Sequence, residues 1–112
     1  TTVDSIISAI DNARAQTLSA NDASVFGVHL SSTQIVNFEG ASYNSSDSKN
    51  IVYVFDTKAT LGSISLAGGG SDVIFTRLTG DTSNYGTMIV TVSGLTPNKT
   101  ITVSGTGIVS SN

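Results

Sequence analysis

The spacing of apolar residues changes once along this chain, and that change constrains the fold more than any other feature. From residue 1 to about residue 21 the apolar residues recur at the i, i+3, i+4, i+7 spacing of one helix face. Beyond that point the period is close to two, which is typical of β-strands. The pattern predicts one amphipathic helix followed by a β-domain. The predicted apolar face comprises Val3, Ile6, Ile7, Ile10, Ala13, Thr17 and Leu18.

The length of the chain indicates one domain. A chain of 112 residues can bury a single core but is too short to divide into two. The composition, 38% hydrophobic and 12% charged, indicates a folded protein whose polar residues are mainly Ser, Thr, Asn and Gly. We therefore predict a single domain over residues 1–112, with a helix over 1–21 and a β-domain over 22–112.

The first half of the β-domain shows three distinct patterns. Residues 26–38 alternate in polarity on both sides of Ser31 and Ser32, which predicts a hairpin. Residues 39–50 are polar and predict a loop. Residues 51–55 are continuously apolar, the pattern of a strand covered on both faces, so we expect the helix and a sheet to pack there.

The second half contains more short strands. Residues 62–67 and 73–76 are separated by the Gly68–Ser71 run, which predicts a second hairpin. A turn at residues 94–98 holds the single proline. Further strands are predicted over residues 85–92, 100–103 and 107–110. The fold class is therefore α+β, with the helix packed on two antiparallel sheets of about seven to eight strands in total.

Charge and cysteine content exclude several classes of function. The net charge is −3, and the five basic residues are scattered along the chain, so nucleic-acid binding is not expected. The chain has no cysteine, which excludes disulfides, thiolate metal sites and cysteine nucleophiles.

Arg14 is the one charged residue inside the apolar stripe of the helix. Burying an unpaired guanidinium is very costly. We therefore expect Arg14 to form an ion pair with a carboxylate or to extend past its apolar neighbours into solvent.

His29 is the only histidine, so an imidazole-based catalytic or metal site has to use it. No serine has the G-x-S-x-G context, and the carboxylates form no close pair on one strand. We interpret His29 as a surface or half-buried strand residue and predict no catalytic, cofactor-binding or metal-binding residue. Loops 44–50 and 81–84 are rich in side-chain oxygens, but without the spacing of a calcium loop they are better explained by turn formation.

The order of several short motifs resembles the GspH/FimT group of pseudopilins and minor type IV pilins. The motifs lie in the helix, in the first hairpin with its following loop, and in the later strands, and together they cover nearly the whole chain. They are ARAQT at 13–17, FGVH at 26–29, VNFEG at 36–40 with Tyr43, VIF at 73–75, TG at 79–80, GTMIV at 86–90, KTITV at 99–103 and GIV at 107–109.

The resemblance implies a structural subunit and not an enzyme. Family members carry a long apolar helix, so the resemblance implies that the helix continues upstream of Thr1 into a membrane-spanning segment. The implied partners are other pilin subunits, contacted through the helix, and the inner-membrane assembly machinery. The implied location is the bacterial inner membrane before assembly and a periplasmic or extracellular filament afterwards. DNA binding, known for some FimT-like minor pilins, is not carried over, because Lys99 is the only cation after Arg77.

Two other classes of function remain open at this stage. A free-standing extracellular β-sandwich for binding or adhesion also suits strands rich in Ser, Thr and Gly, although such modules rarely need a helix of this length. A hydrolase requires a polar constellation around His29 or a carboxylate pair in a cleft. The sequence leaves open whether loops 41–50 and 79–85 bind a ligand, and which filament system is involved.

Overall fold

The structure, a computed structural model, describes residues 2–19, 25–40, 42–77, 79–94 and 98–111. One helix, α1 (Thr2–Ser19), precedes eight strands. The strands form two antiparallel sheets of four strands each, sheet A in the order β3-β2-β1-β5 and sheet B in the order β4-β6-β7-β8. The strands are β1 (Phe26–Leu30), β2 (Gln34–Glu39), β3 (Ile51–Val54), β4 (Ala59–Leu66), β5 (Asp72–Ile74), β6 (Gly86–Val92), β7 (Lys99–Val103) and β8 (Val109–Ser111). The predicted fold class of one helix on two antiparallel sheets is confirmed.

Helix α1 packs on both sheets through one face. Its buried residues follow the predicted helical spacing, although Ala9 joins the buried face and Leu18, predicted to belong to it, is 42% exposed. Ile6 and Ile10 are fully buried, and each such side chain contributes about 1.5–3 kcal/mol to folding. The helix contacts β1 and β2 of sheet A and β7 and β8 of sheet B. The last predicted helical residues, 20 and 21, lie outside the described residues, as does part of the predicted 94–98 turn.

The C-terminal turn of α1 is joined to the first strand by Thr17. The Thr17 hydroxyl accepts a hydrogen bond from the backbone N–H of Phe26 at 2.9 Å and lies 2.9 Å from the Ala13 carbonyl, to which it donates. Thr17 is buried, so this hydroxyl satisfies polar groups that water does not reach. It therefore sets where β1 begins relative to the helix.

The predicted first hairpin is confirmed. β1 and β2 pair antiparallel from Phe26 opposite Glu39 to Leu30 opposite Ile35. Side chains directly opposite each other share a face of the sheet. Val28, Leu30 and Ile35 therefore face the main core, and all three are buried there.

The prediction that residues 51–55 form a strand covered on both faces is wrong. β3 lies at the edge of sheet A, and Ile51, Val52 and Val54 are 47%, 50% and 72% exposed. Only Phe55, just beyond the strand, is buried in the main core. Continuous apolar character does not distinguish a central strand from an exposed edge, because periodicity reports local pattern and not strand order.

The predicted second hairpin is also wrong. β4 pairs with β6 in sheet B, whereas β5 pairs with β1 in sheet A. The glycine run between them is therefore a connection from one sheet to the other. Gly68 and Gly69 have φ angles of +92° and +79°, a conformation that glycine adopts without steric penalty.

A second apolar cluster lies on the outer face of sheet A. Val36 and Phe38 are buried although they point away from the main core. Tyr43 packs edge-on against Phe38, with ring centroids 5.7 Å apart. Gly27, opposite Phe38 in the sheet, leaves room for the Phe38 ring, since a Cβ at this position would lie 2.9 Å from its Cζ atom. The loop after β2 thus covers this face of the sheet.

Candidate functional site

The exposed side of α1 borders an open groove along the edge of sheet A. Along the C-terminal half of the helix the groove has a volume of about 480 Å³. Its lining there comprises Asn12, Ala15, Gln16 and Ser19 from α1 and Asn37, Ile51 and Tyr53 from the sheet. Two further depressions continue it toward the start of the helix, and Tyr53 lines all three. The groove combines polar helix residues with the inner side of an exposed apolar strand, a composition that suits a protein contact better than a small-molecule site.

Gln16 and Asn37 form the base of this groove. Asn37 is only 3% exposed, and its Nδ2 atom donates a hydrogen bond to Oε1 of Gln16 at 3.0 Å. A buried amide needs such a partner because its desolvation is otherwise uncompensated. This pair was not predicted from the sequence, although an asparagine among the apolar residues Ile35, Val36 and Phe38 is a signal for a specific polar contact.

The Arg14 side chain contacts two loops that are far from it in sequence, one at Gly80 and one at Gly107. Its Nε atom donates a hydrogen bond to the carbonyl of Gly80 at 3.1 Å. A Cβ on Gly80 or on Gly107 would collide with the Arg14 side chain. Both glycines have positive φ angles, +73° and +91°. Among the described residues a backbone carbonyl, and not the predicted carboxylate, accepts from the guanidinium of this half-buried side chain, in a pocket that only glycine backbones leave open.

His29, Asp72 and Tyr43 form a polar cluster on the outer face of sheet A. Nδ1 of His29 donates to Oδ1 of Asp72 at 2.6 Å, because β1 and β5 place these residues directly opposite each other. Tyr43 stacks on the imidazole with ring centroids 4.0 Å apart and planes 3° from parallel. His29 was predicted to be a surface or half-buried strand residue, and it is a half-buried residue of β1. The cluster itself was not predicted, because only strand register reveals it.

The chemistry open to this cluster is limited. A carboxylate on Nδ1 orients a histidine as in catalytic triads and leaves Nε2 as the acceptor. Within the described residues, however, no hydroxyl is hydrogen-bonded to His29. These contacts hold β1, β5 and the loop that carries Tyr43 together.

The loop after β2 uses its oxygens to hold its own turns, as predicted. Asn44 Oδ1 accepts from the N–H of Ser46, and Asp47 Oδ1 accepts from the N–H of Lys49, both at 2.9 Å. Asn50 Nδ2 donates to the Asn44 carbonyl at 2.7 Å. Among the residues that the structure describes, no group of three or more His, Asp or Glu side chains is placed to hold a metal ion.

The later loop, at residues 79–85, supports the edge of sheet A. Asn84 Oδ1 accepts from the N–H of Ile74 at 3.1 Å, and the Thr82 hydroxyl donates to the Ile74 carbonyl at 2.9 Å. The Asn84 N–H in turn donates to the Thr82 hydroxyl. These side chains take the place of a neighbouring strand along β5.

Comparison with known proteins gave no match to a family model, to a curated protein or to a solved structure. Within the described part of the chain, no helix combines the length and the apolar character that crossing a bilayer requires.

Proposed function

We propose that this chain is the β-domain and adjoining helix of a pilin-like assembly subunit, a minor pilin or pseudopilin, and that it has no catalytic activity. One observation supports this proposal above the others: residues that carry the resemblance contact one another. Arg14 of the ARAQT motif contacts Gly80 and Gly107 of two later motifs. Thr17 of the same motif holds Phe26 of the FGVH motif. Motifs that are far apart in sequence are therefore in contact in the fold, and these contacts require the motifs to occur in this order and at this spacing.

The position of α1 is the second support. One face of the helix is held by both sheets, while Ser8, Asp11, Asn12 and Ala15 on the other face are exposed. A subunit that packs through its helix needs such a face free for its neighbours. In the proposal, which rests here on the resemblance, the helix continues upstream as an apolar membrane-spanning segment before assembly. The partners are then other pilin subunits and the inner-membrane assembly machinery of a bacterial envelope.

The first test is the N-terminus of the native protein. Intact-mass measurement and peptide mapping of the membrane-associated protein are expected to show a processed N-terminus followed by a long apolar segment that leads into α1. A protein that starts at or near Thr1, or that has a secretory signal peptide there, contradicts the proposal.

The second test maps the contact itself. The 112-residue sequence contains no cysteine, so a single cysteine placed in it gives an interpretable crosslink provided the upstream sequence is also free of cysteine. In the full-length protein expressed in its own host, Asn12→Cys on the exposed face of α1 is expected to crosslink to neighbouring subunits. Thr91→Cys, on the outer face of sheet B, is the matched control and is expected to crosslink much less. Equal crosslinking at both positions, or at neither, contradicts assembly through the helix.

A free-standing extracellular binding module is the second candidate, and one observation favours it. The outer face of sheet B exposes a nearly uncharged array of hydroxyl side chains from all four strands. The array comprises Thr60, Ser65, Thr87, Thr91, Thr102 and Ser110, related by direct cross-strand pairing. Such a module requires no upstream apolar helix, so the N-terminal measurement distinguishes the two candidates.

A further inference from the structure

The outer edge of β3 is an open pairing surface. β3 is the last strand on its side of sheet A, and its four residues, Ile51–Val54, are apolar and largely β-branched. Three of the four are at least 47% exposed. An exposed, apolar strand edge is a template for pairing with another chain, and proteins usually protect such edges.

The other three sheet edges each have a feature that hinders pairing. β4 is interrupted by a bulge between Gly62 and Ser65, where Ser63 has a φ angle of +49°. The outward backbone groups of Ile74 in β5 are already bonded to Asn84 and Thr82. β8 has only three residues. Bulges, short strands and covering side chains are recognised means of blocking edge-to-edge association. β3 differs from these edges in that all four of its residues are large aliphatic or aromatic ones.

The backbone groups that β3 directs outward follow from its pairing with β2. The Phe55 N–H donates to the Thr33 carbonyl at 2.9 Å, in register with the β2–β3 ladder. Because residues alternate along an antiparallel ladder, Ile51 and Tyr53 also face β2, whereas Val52 and Val54 direct their N–H and C=O groups to the free edge. An extended strand of another polypeptide can satisfy these groups.

We propose that β3 pairs antiparallel with β3 of a second copy of this chain, joining two A sheets into one continuous sheet. Charge favours this partner and this direction. Lys49 precedes the strand, and its side chain is 67% exposed although its ammonium lies 3.3 Å from the Glu39 carboxylate of the same chain. Asp56 follows the strand and is exposed. Antiparallel self-pairing brings Lys49 of each copy near Asp56 of the other, whereas parallel pairing brings like charges together. The strand between them carries no charge that repels a copy.

The contact is small and the dimer is correspondingly weak. Four residues per strand bury far less than the roughly 1,200 Å² of a standard stable interface. We therefore expect a dimer that is populated at about 1 mM chain and dissociates on dilution to about 10 μM. The pairing does not depend on the proposed pilin function, because a free-standing module presents the same edge.

The test measures association of this chain by sedimentation and by amide hydrogen exchange. Between the two concentrations the average mass is expected to rise toward that of a dimer, with new protection at the amides of Val52 and Val54. Val54→Lys, at the most exposed position of the strand, is expected to weaken association at least tenfold. Thr91→Lys adds the same charge on the outer face of sheet B and is expected to leave association unchanged.

Three results overturn the proposal. They are a monomer at every concentration, a dimer that Val54→Lys leaves intact, and an equal loss of association in Val54→Lys and Thr91→Lys. If Val54→Lys fails to fold, the nearly isosteric Val54→Thr tests the same position and is expected to weaken association severalfold. The first of these three results, combined with protection of Val52 and Val54 by an added unrelated peptide, assigns the edge to another occupant.

Discussion

His29 and Asp72 lie directly opposite each other on β1 and β5, and their side chains meet through a 2.6 Å contact between Nδ1 and Oδ1. The contact ties the two strands whose connection passes through the other sheet. Tyr43, stacked on the same imidazole, adds the loop after β2 to this tie. His29 is thereby a junction between three segments that are distant in sequence.

A double-mutant cycle tests this junction. His29→Ala is expected to lower the free energy of unfolding by about 1–3 kcal/mol, since it removes the hydrogen bond to Asp72. Coupling with Tyr43→Ala, measured by urea unfolding, is expected to be about 0.5–1.5 kcal/mol because the rings stack. Tyr85→Ala, an exposed tyrosine in another loop, is the control, with an expected coupling below about 0.5 kcal/mol. Additive effects of His29→Ala and Tyr43→Ala contradict the stacking contribution.

Gly107 is required by the atoms around it as well as by its backbone angle. Gly107 and Gly94 both have positive φ angles, +91° and +83°, but only at Gly107 does a Cβ collide with the Gly80 carbonyl and Arg14. Gly94→Ala is expected to cost about 1–2 kcal/mol from backbone strain alone. Gly107→Ala is expected to lower the free energy of unfolding by about 1–3 kcal/mol more than Gly94→Ala does, because its methyl group overpacks the site. Equal urea midpoints for the two variants contradict this explanation.

Arg14 is expected to require its guanidinium and not merely a positive charge. The Nε atom, which lysine lacks, makes the contact with Gly80. Hydrogen bonds from charged groups contribute about 1.5–3 kcal/mol to stability. Arg14→Ala is therefore expected to lower the free energy of unfolding by an amount of that order. Arg14→Lys is expected to recover little of it, because lysine has no planar donor group to fit between the glycines. Thermal unfolding of both variants, beside the exposed Lys58→Ala, measures the difference.

Thr17 is expected to matter through its hydroxyl. Thr17→Val keeps the shape but leaves the Phe26 N–H without its partner, at an expected cost of about 1–3 kcal/mol. Thr91→Val, on the exposed face of β6, changes the same atoms where water replaces the lost contact, and it is expected to change stability by less than about 0.5 kcal/mol. Hydrogen exchange of the Phe26 amide provides the local measurement. An unchanged exchange rate in Thr17→Val argues against the assigned bond.

The helix and most strands were predictable because their pattern is local. The period of 3.6 located α1, and the alternation around Ser31 and Ser32 located the first hairpin. The burial of Ile6 and Ile10 follows from the same periodicity. Local pattern is enough where the neighbouring strand is also the next one along the chain.

Strand order and the polar contacts were not predictable in the same way. The exposure of Val54 and the membership of β4 and β5 in different sheets depend on which strands neighbour each other. The same holds for the contact between His29 and Asp72, which are 43 residues apart in sequence. The partner of Arg14 was not predictable from local pattern either, because the residue types in a sequence do not show which backbone carbonyl accepts a guanidinium hydrogen bond.

The passage of the chain between the two sheets has a consequence for how the protein folds. After β3 the chain leaves sheet A for β4, returns for β5 and leaves again for β6. Neither sheet is formed by one contiguous stretch of chain. β5, the last strand of sheet A in chain order, follows β4, which belongs to sheet B. Closing such long loops before their contacts form is entropically unfavourable and slows folding. We infer that the two sheets form together in one cooperative, comparatively slow event, and that a nascent chain ending before β5 keeps β1 unpaired on one side.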